Sequence, residues 1–219
     1  MKLIIEAFSK IGNLILNEDP MQTELYFLEY ALDNILDIMI ENDFKRNELA
    51  IVLYTFCPNS ANAHMRVLNR IKSKIGSTHK NAYVAIISDL LQFDEFIEEQ
   101  GGYLWDSADM YDFYFEVAKK GLYYQSPISR TKSLSILSRL CPCSLSPIFE
   151  LLPNIKKMIF SDNWEIQGQL LILSNCALRE LCEAQVKLRT PEDEPDQSLV
   201  RRISQTYTNE EAEEKIPEF

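Results

Sequence analysis

The sequence predicts an all-α protein of antiparallel helix pairs stacked as an α-solenoid, and three observations predict it. Two stretches match each other 36 residues apart: Ile128-Ser129-Arg130 and Leu134-Ser135-Ile136-Leu137-Ser138 fall onto Trp164-Glu165-Ile166 and Leu170-Leu171-Ile172-Leu173-Ser174. Between them lies a second apolar run, Ile148-Phe149-Glu150-Leu151-Leu152-Pro153-Asn154-Ile155. A helix, a turn, a second helix and a return to the first pattern is the reading of a stacked repeat. Elsewhere apolar residues recur at intervals of three and four, and no useful period-2 alternation appears.

Taken in order, Leu3, Ile4, Phe8, Ile11 and Ile15 make a first amphipathic helix, closed by Asn17-Glu18-Asp19-Pro20. Leu25, Leu28, Leu32, Ile35, Leu36 and Met39 make a second that runs to about Glu41. A third covers 46–56 and stops at Cys57-Pro58, because the residue before proline disfavours helical backbone. Asn59 or Ser60 caps a fourth, with apolar positions Met65, Leu68, Ile71 and Ile75 and Gly76 at its end. A fifth is expected over 78–93, then a short acidic helix over 94–100 closed by Gly101-Gly102. Asp106 or Ser107 caps a seventh that runs to about Leu122. Ser126-Pro127 reads as an N-cap followed by proline in the first turn, and Ser146-Pro147 repeats the device. The last helix starts near Asp162 and reaches about Lys187. Each helix is too short to stand alone and must bury its stripe on neighbours, and short connections make sequential helices antiparallel neighbours.

Residues 127–187, with a second helix ending in Leu151-Leu152-Pro153 and Asp162-Asn163-Trp164-Glu165-Ile166 opening the next, resemble HEAT or armadillo-type repeats. The resemblance implies a right-handed α-solenoid serving as a scaffold or adaptor, and it brings no catalytic residues with it. Segment 45–92 reads as an earlier unit, whereas 93–125 departs from the pattern. A plain helical bundle is the alternative architecture. The repeat domain is expected over 1–189. From Thr190 the texture changes to a tail with 9 acidic and 3 basic residues after it, expected to be disordered.

Composition narrows the task. The 219 residues are 46% hydrophobic and carry a net charge of −11, which opposes broad contact with nucleic acid or anionic lipid. No stretch approaches a membrane span, and none of the 6 glycines forms a phosphate-cradling loop. Five cysteines in a chain with ample core read as reduced thiols, hence a cytoplasmic setting, with the nucleus open as well. Cys141-Pro142-Cys143 is too closely spaced for a zinc pair, and His64 and His79 lie far from it. Neither metal nor cofactor is expected. Nucleophilic catalysis lacks a recognisable cysteine or serine beside a histidine, so the chain is read as non-enzymatic.

Charge is segregated. Residues 44–88 hold seven lysines and arginines against Glu48, and 89–118 hold nine acids against no base. The acidic segment runs into eight aromatics between Tyr103 and Tyr124, more than one helical stripe buries. Exposed aromatic surface beside carboxylates suits Lys/Arg-rich peptides, through ion pairing and cation–π contact. The expected partner surface is therefore Trp105, Asp106, Asp109, Tyr111 and Asp112, with Trp164 as a further candidate, and the expected partner is a protein with a Lys/Arg-rich segment. Core packing of the aromatics is the competing reading. Arg66, Arg70 and Lys74 recur every fourth residue, as a solvated face or a grip on an acidic partner. Arg201-Arg202-Ile203-Ser204 resembles a basophilic kinase consensus, which makes Ser204 an expected phosphorylation site. Other readings are a regulatory subunit of an enzyme complex, a tubulin-type cytoskeletal binder, and a helical enzyme with a buried polar pocket.

Overall fold

A computed structural model describes residues 22–41, 49–50, 52–53, 61–98 and 108–188. These residues are helical or lie in short turns, with no strand among them. Among the described residues these α-helices follow one another: α1 Gln22–Glu41, α2 Ala61–Ile75, α3 Lys80–Glu98, α4 Ala108–Leu122, α5 Pro127–Leu140, α6 Ser146–Glu150, α7 Leu152–Lys157 and α8 Trp164–Leu188. A 3₁₀ turn, Met158–Phe160, follows α7. Residues 49–50 and 52–53 are also helical. The expected helix over 3–15, the Gly101-Gly102 break and the tail from 190 lie outside the described residues.

Contacts divide the chain into two compact units, Met1–Ala177 and Leu178–Phe219, with the boundary inside α8. In the first unit α1 packs on α2, α2 on α3, and α3, α4 and α5 on one another. Helix directions follow from which side chains meet. Arg70 meets Asp33 and Lys74 meets Asp37, numbers that rise together, so α1 and α2 run the same way. Ser129 meets Asn81 and Lys132 meets Asp89, so α5 follows α3. Tyr111 meets Ser144, Gly121 faces Ser133 and Tyr124 meets Arg130, numbers that run oppositely, so α4 and α5 form an antiparallel hairpin.

The core includes members of the expected stripes of α1 and α2, joined by residues of α3. Leu32, Leu36 and Met39 of α1, Leu68 and Ile71 of α2, and Ile86, Ile87 and Leu90 of α3 are all at most 2% exposed. The matched segments share local chemistry too. Ser138 Oγ donates to the Leu134 carbonyl at 2.9 Å, and Ser174 Oγ donates to the Leu170 carbonyl at 2.8 Å. Each helix is capped from outside: Ser126 Oγ accepts from the Ser129 amide, and Asn163 Oδ1 accepts from the Glu165 and Ile166 amides.

Glycine is dictated at the end of α2 and where α3, α4 and α5 converge. A Cβ on Gly76 would stand 2.5 Å from the Lys72 carbonyl oxygen, to which the Gly76 amide bonds. A Cβ on Gly121 would meet Ser133 Oγ and both methyls of Val84.

Three local expectations are corrected. The acidic run 94–98 is no separate helix but the continuation of α3 to Glu98, since no glycine or proline interrupts 80–98. Ser146 does not cap α6. The chain leaves α5 through a tight turn and Leu145 is already helical, so Ser146 is the first helical residue and no side-chain cap forms. The second apolar run is two short helices broken at Leu151. Pro153 lacks the amide that would bond the Phe149 carbonyl, and its ring crowds that carbonyl.

Candidate functional site

Helix α4 carries the most informative pattern. Met110, Phe113, Tyr114, Val117, Ala118, Gly121 and Leu122 are buried, a stripe at three- and four-residue spacing. The same period leaves Asp109, Asp112, Glu116 and Lys120 exposed along the edge of that stripe. Asp109 stands in the first turn and Lys119 and Lys120 in the last, each favourable to the helix dipole.

That edge of α4 is one wall of a groove of about 730 Å³. The other wall is α2, with Met65, Asn69 and Lys72, and Tyr83 of α3 contributes from between them. Three carboxylates, from Asp109, Asp112 and Glu116, and two ammonium groups, from Lys72 and Lys120, line it. Phe113 and Tyr124 supply apolar surface. The Lys72 ammonium lies 5.6 Å from the centroid of the Phe113 ring, a cation–π arrangement inside the groove itself.

Next in sequence to the groove residues Met65 and Phe113, buried His64 of α2 and Tyr114 of α4 share a hydrogen bond of 2.9 Å between Nε2 and the phenol oxygen. Both side chains are 1% exposed and their rings meet edge to face. Burial lowers the His64 pKa to about 4, so the imidazole is neutral at physiological pH. The pair ties α2 to α4, the helices that supply the two groove walls. Burial also pushes the phenol of Tyr83, one of the groove residues, upward, so it stays protonated as well.

The aromatic run is resolved by dividing it between two faces. Phe113 and Tyr114 enter the core with rings edge to face at 5.9 Å. Tyr111 and Phe115, four apart, stack at 5.9 Å with planes 9° from parallel, half-buried against the core edge. Tyr111 donates to the Ser144 carbonyl at 3.1 Å, and its pKa is pushed up to about 12, chiefly by burial. Tyr111 is thus engaged with the α5–α6 turn and is not among the groove residues. Of the expected partner residues, Asp109 and Asp112 line the groove, joined by Glu116, Lys72 and Phe113. Trp164 begins α8 at 77% exposure and does not line the groove. Trp105, Asp106 and Ser204 lie outside the described residues.

No protein-family model matches the chain, and no curated protein matches it in sequence.

Two members of the basic stripe of α2, Arg70 and Lys74, are interhelical, while Arg66 is exposed. Arg70 donates to both oxygens of Asp33, at 2.9 and 2.8 Å, and lies 3.1 Å from Glu29. Lys74 reaches Asp37 at 3.0 Å and Asp33 at 3.8 Å. Sequence reasoning missed the matching ladder Glu29, Asp33 and Asp37, whose four-residue spacing was the available signal. Asp89, counted with the acidic surface, is 3% exposed and paired with Lys132 of α5. Cys141 is buried and Cys143 exposed. Among the described residues no group of three or more His, Cys, Asp or Glu is placed to hold a metal ion, and no helix is long and apolar enough to cross a membrane.

Proposed function

We propose that this chain is a non-enzymatic protein-interaction scaffold, a HEAT/armadillo-like α-solenoid that takes a Lys/Arg-rich segment of a protein partner into the groove between α2 and α4. The observation that carries the reading is the wall of Asp109, Asp112 and Glu116 beside Phe113, already occupied by the chain's own Lys72. A groove that draws an internal ammonium over an aromatic face is chemically suited to an external one.

The dimensions agree. Along α4, Asp109 to Glu116 spans roughly 10 Å at 1.5 Å per residue. An extended peptide covers that in about three residues at 3.3 Å each. Basic side chains near such spacing meet the carboxylates while their aliphatic stems lie on Phe113 and Tyr124. The net charge of −11 steers a cationic partner toward the molecule. The solenoid reading is supported by parallel α1 and α2, parallel α3 and α5, and the α4–α5 hairpin. The shared serine bonds in α5 and α8 also favour it. This reading places the chain in the cytoplasm, where thiols such as Cys176 and Cys182 stay reduced.

Fluorescence anisotropy with a dye-labelled Lys/Arg-rich peptide tests it. Asp109→Asn, Asp112→Asn and Glu116→Gln together are expected to weaken binding about tenfold, since exposed pairs are worth roughly 0.2–1 kcal/mol each. Lys72→Ala is expected to tighten binding by freeing the Phe113 face. An affinity unmoved by the triple substitution would remove the groove from the account.

A further inference from the structure

The charges that α4 brings to the groove are ordered along the helix. Asp109, Asp112, Glu116 and Lys120 all line the groove and all are exposed. The three anionic positions come first and the cation last, so the row has a polarity. Asp112, Glu116 and Lys120 follow one another at intervals of four residues, about 6 Å each at 1.5 Å per residue. An extended peptide turns every second side chain to the same side, about 6.6 Å apart. The two periods agree over two successive steps. Three alternate side chains of one extended segment therefore meet Asp112, Glu116 and Lys120 in turn.

Within the chain Lys120 is the uncommitted member of this row. Glu116 pairs with Lys119 at 3.4 Å, with both side chains about half exposed. Such a pair is weak enough to admit a second cation at the same carboxylate. Lys119 also lies 6.0 Å from the Phe115 ring, and neither of these two residues lines the groove. Lys72, the other ammonium in the groove, lies over Phe113. Lys120 forms no ion pair among the described residues. A segment basic along its whole length would set one of its own cations against Lys120.

We infer that the segment taken by this groove is bipolar: two Lys/Arg side chains at alternate positions against Asp112 and Glu116, and an Asp or Glu two residues further against Lys120. The inference rests on the groove reading above and narrows the partner from Lys/Arg-rich to a basic-x-basic-x-acidic segment. The row reads side-chain charge, so the order along the partner chain is either this one or its reverse. Asp109, three residues before Asp112, adds its charge to the acidic end. Lys120 sets specificity, because it attracts an acid and repels a base at the same place.

Fluorescence anisotropy of the full chain at low salt tests this with dye-labelled peptides Ser-Lys-Ser-Lys-Ser-Glu-Ser and its reverse. Each is compared with versions bearing Gln or Lys in place of Glu. The net charge of −11 favours the more basic peptide at long range, so the readout is what Lys120→Gln does to each one. In one of the two orders, the substitution should weaken the Glu peptide roughly threefold and tighten the Lys peptide by a similar factor. The Gln peptide should stay nearly unmoved. Lys119→Gln removes the same charge one residue away, outside the groove, and should produce no such crossing. If Lys120→Gln shifts all three peptides alike in both orders, or Lys119→Gln reproduces the crossing, the inference is overturned and the groove reading stands. If no peptide binds, or binding ignores neutralisation of Asp109, Asp112 and Glu116, the groove reading itself falls and takes the inference with it.

Discussion

His64 sits between α2 and α4, sharing its Nε2 with the Tyr114 hydroxyl, and its burial has a consequence that pH exposes. Its pKa falls from 6.5 to about 4 in the folded chain. Between those values the unfolded state binds more protons, so stability is lost as pH falls from 6.5 toward 4. The full difference corresponds to roughly 3 kcal/mol. Urea unfolding of the wild type and His64→Gln at neutral pH and near pH 4 should show a smaller acid loss in the variant. An equal loss in both would assign it to carboxylates instead. Gly121 is a second single-residue test. Gly121→Ala drives a methyl into Ser133 and Val84 and should destabilise by roughly 1–3 kcal/mol, despite alanine's better helix propensity. An unchanged denaturation midpoint would mean that the α3–α4–α5 junction relaxes freely.

Between elements, the Glu29, Asp33 and Asp37 ladder on α1 clasps Arg70 and Lys74 on α2. The Arg70–Asp33 contact is forked and only partly exposed, so it should outweigh an ordinary surface pair. A double-mutant cycle with Arg70→Ala and Asp33→Ala should return a coupling of about 1 kcal/mol that shrinks with added salt. Zero coupling at low salt would remove the Arg70–Asp33 fork from what holds α1 on α2. This ladder also shows why sequence reading stops where it does. The basic stripe was visible at 66, 70 and 74, but which surface it meets depends on the relative direction and register of two helices. Asp89 illustrates the same limit: inside an acidic run it looks like surface, while Lys132 reaches it from 43 residues later. Helix existence and stripes followed from local spacing. The start of α5 followed from Ser126 and that of α8 was expected near Asp162, while the cap itself is Asn163. The merged α3 and the broken segment at Leu151 depended on local breakers misjudged, one imagined before Asp94 and one underestimated at Pro153.

At the scale of the molecule, the sequence already showed acid and aromatic residues crowded before and within α4. Folding separates them: Phe113 and Tyr114 go inward, Tyr111 and Phe115 cover an edge, and Asp109, Asp112 and Glu116 remain along the groove. Charge segregation along the chain was legible, and the groove was not, because it depends on α2, α3 and α4 bringing residues such as Met65, Tyr83 and Asp112 together. Amide chemical-shift mapping of the labelled full chain, titrated with a Lys/Arg-rich peptide, tests the central claim most directly. The account predicts shifts concentrated at 65–77, in α2 and the turn after it, and at 109–124, in α4 and the turn after it, diminished by neutralising Asp109, Asp112 and Glu116. Shifts confined to other helices, or none at saturating peptide, would contradict it.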